Sequence, residues 1–127
     1  MIAVDSSALL AIALAEPMAD ACITALERET EVLISAGTVA EALLVASQRD
    51  VSEEVAKLID ELDFTVVTVT LASARRIADA YRLWGKGKHP ARLNFGDCFS
   101  YEVAKSNACP LLFVGNDFKL TDVESVL

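Results

Sequence analysis

Four carboxylates in this chain stand where apolar segments end or helical ones begin, and acids so placed point to metal-assisted hydrolysis. Asp5 closes the run Met1-Ile2-Ala3-Val4, and Asp117 follows Pro110-Leu111-Leu112-Phe113-Val114 after two intervening residues. Glu41 lies inside the segment that begins after Val32-Leu33-Ile34-Ser35, and Asp97 follows Asn94-Phe95-Gly96 at the head of another helical stretch. Gathered in one pocket, such acids repel one another and their pKa values rise unless a cation neutralises them. Mg²⁺ and Mn²⁺ prefer carboxylate and water oxygens. A pair of such ions roughly 4 Å apart activates water and stabilises the leaving oxygen in phosphodiester cleavage. No nucleophilic side chain is then required, which suits a sequence with one histidine and no G-x-S-x-G motif.

Each acid also has a plainer reading. Thr38-Val39-Ala40-Glu41 matches a capping box, in which the Glu reaches back to the backbone N–H of the cap. Asp97 in a first turn favours the helix dipole, and Asn116-Asp117 is a turn pair. Asp5 is harder to explain away, because an acid that ends a buried strand needs a partner. Asp122, in Lys119-Leu120-Thr121-Asp122, reads as a turn acid and stands in reserve for the site.

The elements that must position these acids alternate between strand and helix patterns. Residues 2–5 read as a short buried strand and 6–14 as a helix starting near Ser6 or Ser7. Pro17 suits the first turn of a second helix reaching about Glu29. Val32–Ser35 is the next strand. A helix from Thr38 to Gln48 follows, with Val39, Leu43 and Ala46 on the expected buried face and Leu44 beside them. Ser52 to Leu62 carries an apolar stripe at Val55, Leu58, Ile59 and Leu62. The β-branched stretch Phe64–Val69 predicts a strand, and Leu71–Trp84 a helix ended by Gly85. Residues 85–90 form a clear loop without the spacing of a phosphate-cradling P-loop. Asn94 is placed to cap a helix from Phe95 to Asn107. Pro110–Val114 is the last strong strand, and Glu124–Leu127 adds a weak edge. This order predicts an α/β fold of three layers, α/β/α, around a mainly parallel sheet of four to five strands. In such sheets ligands bind beyond the carboxyl ends of the strands, where strand order reverses. If the first and fourth strands are neighbours, Asp5 and Asp117 share that crevice, and the helix of Asp97 reaches it as well.

The 127 residues predict a single domain spanning 1–127, with 54% apolar and 24% charged residues arguing against disorder. No basic segment opens the chain, and the longest uncharged stretch, Ser6 to Ala15, is about half a membrane span. Neither a signal peptide nor membrane insertion is expected. Cys22, Cys98 and Cys109 are odd in number and lack metal-ligand spacing, which predicts reduced core thiols and a cytoplasmic setting. A net charge of −8 is unusual for a nucleic-acid enzyme. However, Arg75, Arg76, Arg82, Lys86, Lys88 and Arg92, more than half of the eleven basic residues, fall in one window with Asp79 as its single acid. That window is either a solvated face or a phosphate-steering patch beside an acidic site. His89 is expected to be exposed and suited to phosphate contact, whereas Tyr81 and Trp84 are expected to pack.

Several segments resemble one family. Ile2-Ala3-Val4-Asp5-Ser6-Ser7-Ala8-Leu9 is similar to the opening of PIN-domain proteins, and Leu93–Tyr101 (Leu-Asn-Phe-Gly-Asp-Cys-Phe-Ser-Tyr) resembles the central motif of their VapC-type toxin branch. Leu112-Phe113-Val114-Gly115-Asn116-Asp117-Phe118 is similar to the closing motif, and Thr38–Glu41 fills the second acidic position. The resemblance covers essentially the whole chain. It implies a Mg²⁺- or Mn²⁺-dependent endoribonuclease, the toxin half of a type II toxin–antitoxin pair. It further implies that Asp5, Glu41, Asp97 and Asp117 form the catalytic and metal-binding cluster, with Asp5 and Asp97 the principal ligands. Ser6 and Thr38 would support the site by hydrogen bonds. Asn116 stands where many relatives carry another acid, which weakens the case for a second metal. A homodimer, and a small antitoxin placing an arginine in the acidic pocket, are also implied. Two other readings are a DNA-directed nuclease of the same fold and a non-catalytic acidic binding module for a cationic partner.

Overall fold

Ile2 and Val4 pack to one side of the first strand and Ala3 to the other, and this period-two alternation sets the layering of the molecule. The computed structural model describes residues 1–127. Its elements run β1 (Ile2–Val4), α1 (Ser6–Ala13), α2 (Ala19–Arg28), β2 (Val32–Ser35), α3 (Ala36–Gln48), α4 (Ser52–Glu61), β3 (Thr65–Val67), α5 (Leu71–Trp84), α6 (Phe95–Ser106) and β4 (Leu111–Leu112). The strands form one parallel sheet in the order β3-β2-β1-β4. Ile2, Val4, Val32, Ile34 and Leu112 meet α1–α4 on one face. Ala3, Leu33, Leu111 and Phe113 meet α5 and α6 on the other. The three-layer α/β/α arrangement expected from the sequence is therefore present, with four strands.

The predicted fifth edge is reduced to a single bridge, between Leu111 and Ser125. It is held by Leu111 N–H donating to Glu124 O and Val126 N–H donating to Leu111 O. β3 is shorter than Phe64–Val69, and Thr65 and Val66 are exposed, as suits an edge strand.

Two helix expectations need correction. α2 begins at Ala19 with Met18 as its cap, so Pro17 lies in the preceding turn rather than in the helix. In α3 the buried positions are Thr38, Ala42 and Ala46, whereas Leu43 is 41% and Leu44 61% exposed. Small side chains let α3 approach its neighbours closely, and the leucines are turned outward. The stripe on α4 is likewise only partly used: Val55 is fully buried, and Leu62 is exposed. Cys22, Cys98 and Cys109 are buried free thiols, as expected.

The strand order is what creates the site. From β1 the chain moves to β2 on one side, and β4 later inserts on the other side of β1. Strand order reverses at β1, the point beyond whose strand ends ligands bind in sheets of this kind. No helix is long and apolar enough to cross a membrane.

Candidate active site

Asp5 follows β1 directly and is 3% exposed. Its backbone N–H donates to Leu112 O at 2.9 Å, tying it to the end of β4. Its carboxylate caps α1, accepting at Oδ2 from Ser7 N–H (3.1 Å) and from the Ser7 hydroxyl (2.7 Å). Oδ1 accepts from the Ser100 hydroxyl of α6 at 2.5 Å. Ser100 has one proton and gives it to Asp5, so the Thr38 hydroxyl 3.1 Å away is the donor to Ser100. Ser7 is fixed in turn by Val114 N–H, 3.1 Å from its hydroxyl oxygen. The result is a relay, Thr38 to Ser100 to Asp5, that orients the Asp5 carboxylate from three elements.

Glu41 does not close a capping box. Ser35 caps α3, accepting from Gly37 N–H, so the helix starts two residues earlier than the sequence pattern indicates. That places Glu41 in the second turn, out of reach of the cap. Its Oε1 accepts from the Ser6 hydroxyl at 2.6 Å, and its carboxylate lies against Gly96 at the start of α6. A Cβ at Gly96 would occupy the place of Glu41 Oε2. Burial, and to a lesser degree the Asp5 charge, raise the Glu41 pKa, and the Ser6 hydrogen bond opposes them.

Asp97 is both a cap and a site residue. Asn94 Oδ1 accepts from Asp97 N–H (2.8 Å), and Asp97 Oδ2 accepts from Asn94 N–H (3.0 Å), a reciprocal capping box at the start of α6. No protein donor reaches Oδ1, yet no buried polar atom is left unsatisfied, so this oxygen opens toward solvent. Burial is the main cause that pushes the Asp97 pKa up from 3.8 to about 7, with the charges of Asp5, Asp117 and Glu41 adding to it. The structure thus brings Asp5, Asp117 and Glu41 within electrostatic reach of Asp97, and Asp5 within reach of Glu41. Asp117 is exposed, in the turn after β4 that Gly115 permits at φ 101°.

The Asp97 shift carries a stability consequence. Folded Asp97 titrates near 7 against about 3.8 unfolded, so the folded state holds an extra proton between those values. Stability of the metal-free protein is expected to fall as pH rises through that window, by up to about 4 kcal/mol from this group. Glu41 acts in the same direction. Melting temperatures in a chelator from pH 5 to pH 8 check this, and a rising profile would contradict a desolvated acidic cluster.

The donor set is all carboxylate and hydroxyl oxygen, the chemistry of a hard divalent cation. No three acidic, imidazole or thiolate groups stand close enough to share one ion, so the four-acid metal cluster expected from the sequence is not assembled as such. A hard cation here would rest on one or two carboxylates, with waters and substrate phosphate completing its shell. Asp5 and Asp97 fit that role.

Other expected residues sort as follows. Thr38 and Ser6 do hydrogen-bond within the site, through Ser100 and Glu41 respectively. Asn116 sits in the exposed turn, where its backbone carbonyl accepts from Lys119 N–H. Asp122 is withdrawn from the site: it accepts from the Tyr101 hydroxyl (2.6 Å), pairs with Lys105 (3.2 Å) and has its pKa lowered chiefly by the Tyr101 bond. Trp84 packs, donating from Nε1 to Tyr101 at 3.0 Å. The basic window divides. Arg76 pairs with buried Glu102 at 2.9 Å and Arg82 with Asp79 at 2.7 Å, whereas Arg75, Lys86, Lys88 and Arg92 have no acidic partner. His89 is half-buried, edge-on to Trp84. Two residues escaped the sequence reading, Ser7 and Ser100. Ser7 stands two residues after its cap, and Ser100 lies one helical turn beyond Asp97, so the helical period from Asp97 was the available signal.

A family model described as the PIN domain matches residues 2–124. Ribonuclease VapC42 of Mycobacterium tuberculosis is 41% identical over 124 residues, covering 94% of this chain and 95% of the relative. VapC ribonuclease Mb0625 of Mycobacterium bovis is 42% identical over 128 residues, covering 98% and 96%. Among solved structures, the sarcin–ricin-loop-cleaving toxin VapC20 of Mycobacterium tuberculosis superposes with a TM-score of 0.80 at 16% identity, covering 99% of this chain and 98% of that one. VapBC2 of Rickettsia felis, bound to a promoter DNA fragment, gives 0.71 at 17% identity, covering 98% and 96%. At such identities these two structures speak for the fold alone.

Proposed function

The chain belongs to the PIN-domain family, and from that membership we propose that it is a divalent-metal-dependent endoribonuclease, the toxin half of a type II toxin–antitoxin pair. What supports this reading is buried Asp97 beside the strand-order reversal, pushed up to about 7 by burial and, secondarily, by the charges of Asp5, Asp117 and Glu41. We read residues 1–127 as one domain that holds this site. Mg²⁺ or Mn²⁺ would supply the positive charge that polarises a phosphodiester and makes water acidic enough to attack it.

The remaining chemistry belongs to the chain. Asp5 and the solvent-facing Oδ1 of Asp97 would hold the cation. Glu41 and Asp117 complete the negative charge and hold water by hydrogen bonds. The hydroxyls of Ser6, Ser7 and Ser100 all donate to carboxylates, so they orient acids and are not free as nucleophiles. Water is the attacking group, and a carboxylate takes its proton. Asp97 and Glu41, raised by burial and by their acidic neighbours, would gain most from a bound cation.

The antitoxin and homodimer expectations join this reading. A small basic antitoxin suits an acidic crevice, and outward-facing Leu43 and Leu44 suit contact with another chain. The test is cleavage of single-stranded RNA by the purified chain. Cutting is expected with Mg²⁺ or Mn²⁺ and lost on chelation. Equal cutting in the presence of EDTA would sink the proposal.

A further inference from the structure

The loop between α5 and α6 is a second charged site that the acidic crevice does not use. Gly85 and Leu93 bridge to one another, with Leu93 N–H donating to Trp84 O (3.0 Å) and Lys86 N–H donating to Leu93 O (2.9 Å). Within this closure Lys88 N–H and His89 N–H both donate to Gly85 O, and Arg92 N–H donates to His89 O. Leu93 is fully buried in the core against α5 and α6. Gly87 (φ 83°) and Arg92 (φ 55°) take left-handed conformations that curl the chain. The loop is therefore built and anchored rather than slack.

It borders a shallow, widely open hollow of about 500 Å³ lined by Lys86, Gly87, Lys88, His89, Pro90 and Arg92. Three of these six are cations, and none has an acidic partner. In a chain where acids outnumber bases 19 to 11, three unpaired cations in one concavity mark an anion site. No acid occurs between Asp79 and Asp97. His89 accepts from Ala91 N–H at Nδ1 (3.0 Å), so the proton of its neutral ring is on Nε2, a further donor.

The cup is joined to the crevice. Arg92 precedes Asp97 by five residues, at most about 18 Å of chain, and Asn94 between them is hydrogen-bonded to Asp97 in both directions. Phe95, 63% exposed, stands on the same path. A cationic groove with an aromatic face beside it is the pattern that holds single-stranded nucleic acid. We propose that Lys86, Lys88 and Arg92 grip successive RNA backbone phosphates a few nucleotides from the bond being cut, in a cup distinct from the acidic crevice. This rests on the ribonuclease reading. Arg76 and Arg82, held by Glu102 and Asp79, take no part.

The test is the salt dependence of single-stranded RNA binding by the full chain carrying Asp97→Asn, read by fluorescence anisotropy. Each phosphate contact on a single strand contributes about 0.7 to the slope of log affinity against log salt. Lys86→Gln with Lys88→Gln is expected to lower that slope by about 1.4 and to weaken binding roughly tenfold or more at 0.1 M salt. Lys86→Arg with Lys88→Arg should keep both, and Lys57→Gln on α4 should change neither. An unchanged slope in the glutamine pair overturns the cup, as does an equal loss in the arginine pair. Metal-dependent cleavage by the unaltered chain is measured alongside. If it fails while RNA is bound with the expected slopes, the ribonuclease reading falls and the cup stands; if RNA is neither bound nor cut, both fall.

Discussion

Asp97→Asn is expected to abolish RNA cleavage, by about 10³-fold or more, and at the same time to raise the melting temperature of the metal-free protein. Both effects come from one carboxylate. The activity loss follows from removing a charged oxygen that faces solvent in the crevice, where the cation would be held. The stability gain follows from burial. Asp97 is 5% exposed and lies within reach of Asp5, Glu41 and Asp117, so its ionised form is held against desolvation and repulsion. Asparagine keeps an acceptor for Asn94 N–H, so the capping box and α6 survive the change. The gain in the metal-free protein should be large at pH 8 and should vanish near pH 4, because the native carboxyl is neutral there. Unaltered protein should itself be stabilised by metal, by about 2.7 kcal/mol when free metal is near a hundred times its dissociation constant. The variant should lose most of that response. A variant that melts lower at pH 8 yet still responds fully to Mg²⁺ would remove Asp97 from the site.

Gly96→Ala is expected to cost roughly 10- to 100-fold in activity with the fold intact. The new methyl group would take the place of Glu41 Oε2. A carboxylate at the end of a flexible side chain gives way, and in doing so it leaves the Ser6 hydroxyl and the crevice. Helix propensity runs the other way, since alanine is favoured over glycine by about 1 kcal/mol within a helix. Stability should therefore hold while activity falls. Glu41→Gln, which keeps the shape and removes the charge, separates steric from electrostatic loss. Full activity in Gly96→Ala would show that the position of Glu41 does not matter to the reaction.

How the sequence reads differs from one acid to the next. Asn94 as the cap of α6 and Asp97 as its first-turn acid are local signals and were visible, whereas the reciprocal box between them came from the structure. The Thr38–Glu41 match has the same form and misleads, because Ser35 takes the cap and starts the helix earlier. The competition between two nearby caps depends on where β2 ends, which no three-residue spacing reveals. In α3 the apolar period was visible and Ala46 is buried as expected, but the face is turned so that Ala42 is buried in place of Leu43. The basic window was legible as a cluster, yet Arg76 and Lys88 look alike in sequence. Only the partner across α5 and α6, buried Glu102, separates them.

The sequence by itself determined the alternation of strand and helix, the two-faced strands, the α6 cap and the identity of the four acids, because each is written within a few residues. That β4 lies beside β1, and that Asp5, Asp117 and Glu41 act electrostatically on Asp97, comes only from the tertiary structure. It also decided that Ser100 donates to an acid 95 residues away. Strand neighbours are chosen by which apolar faces pack best across the whole sheet, a non-local balance that no single segment records.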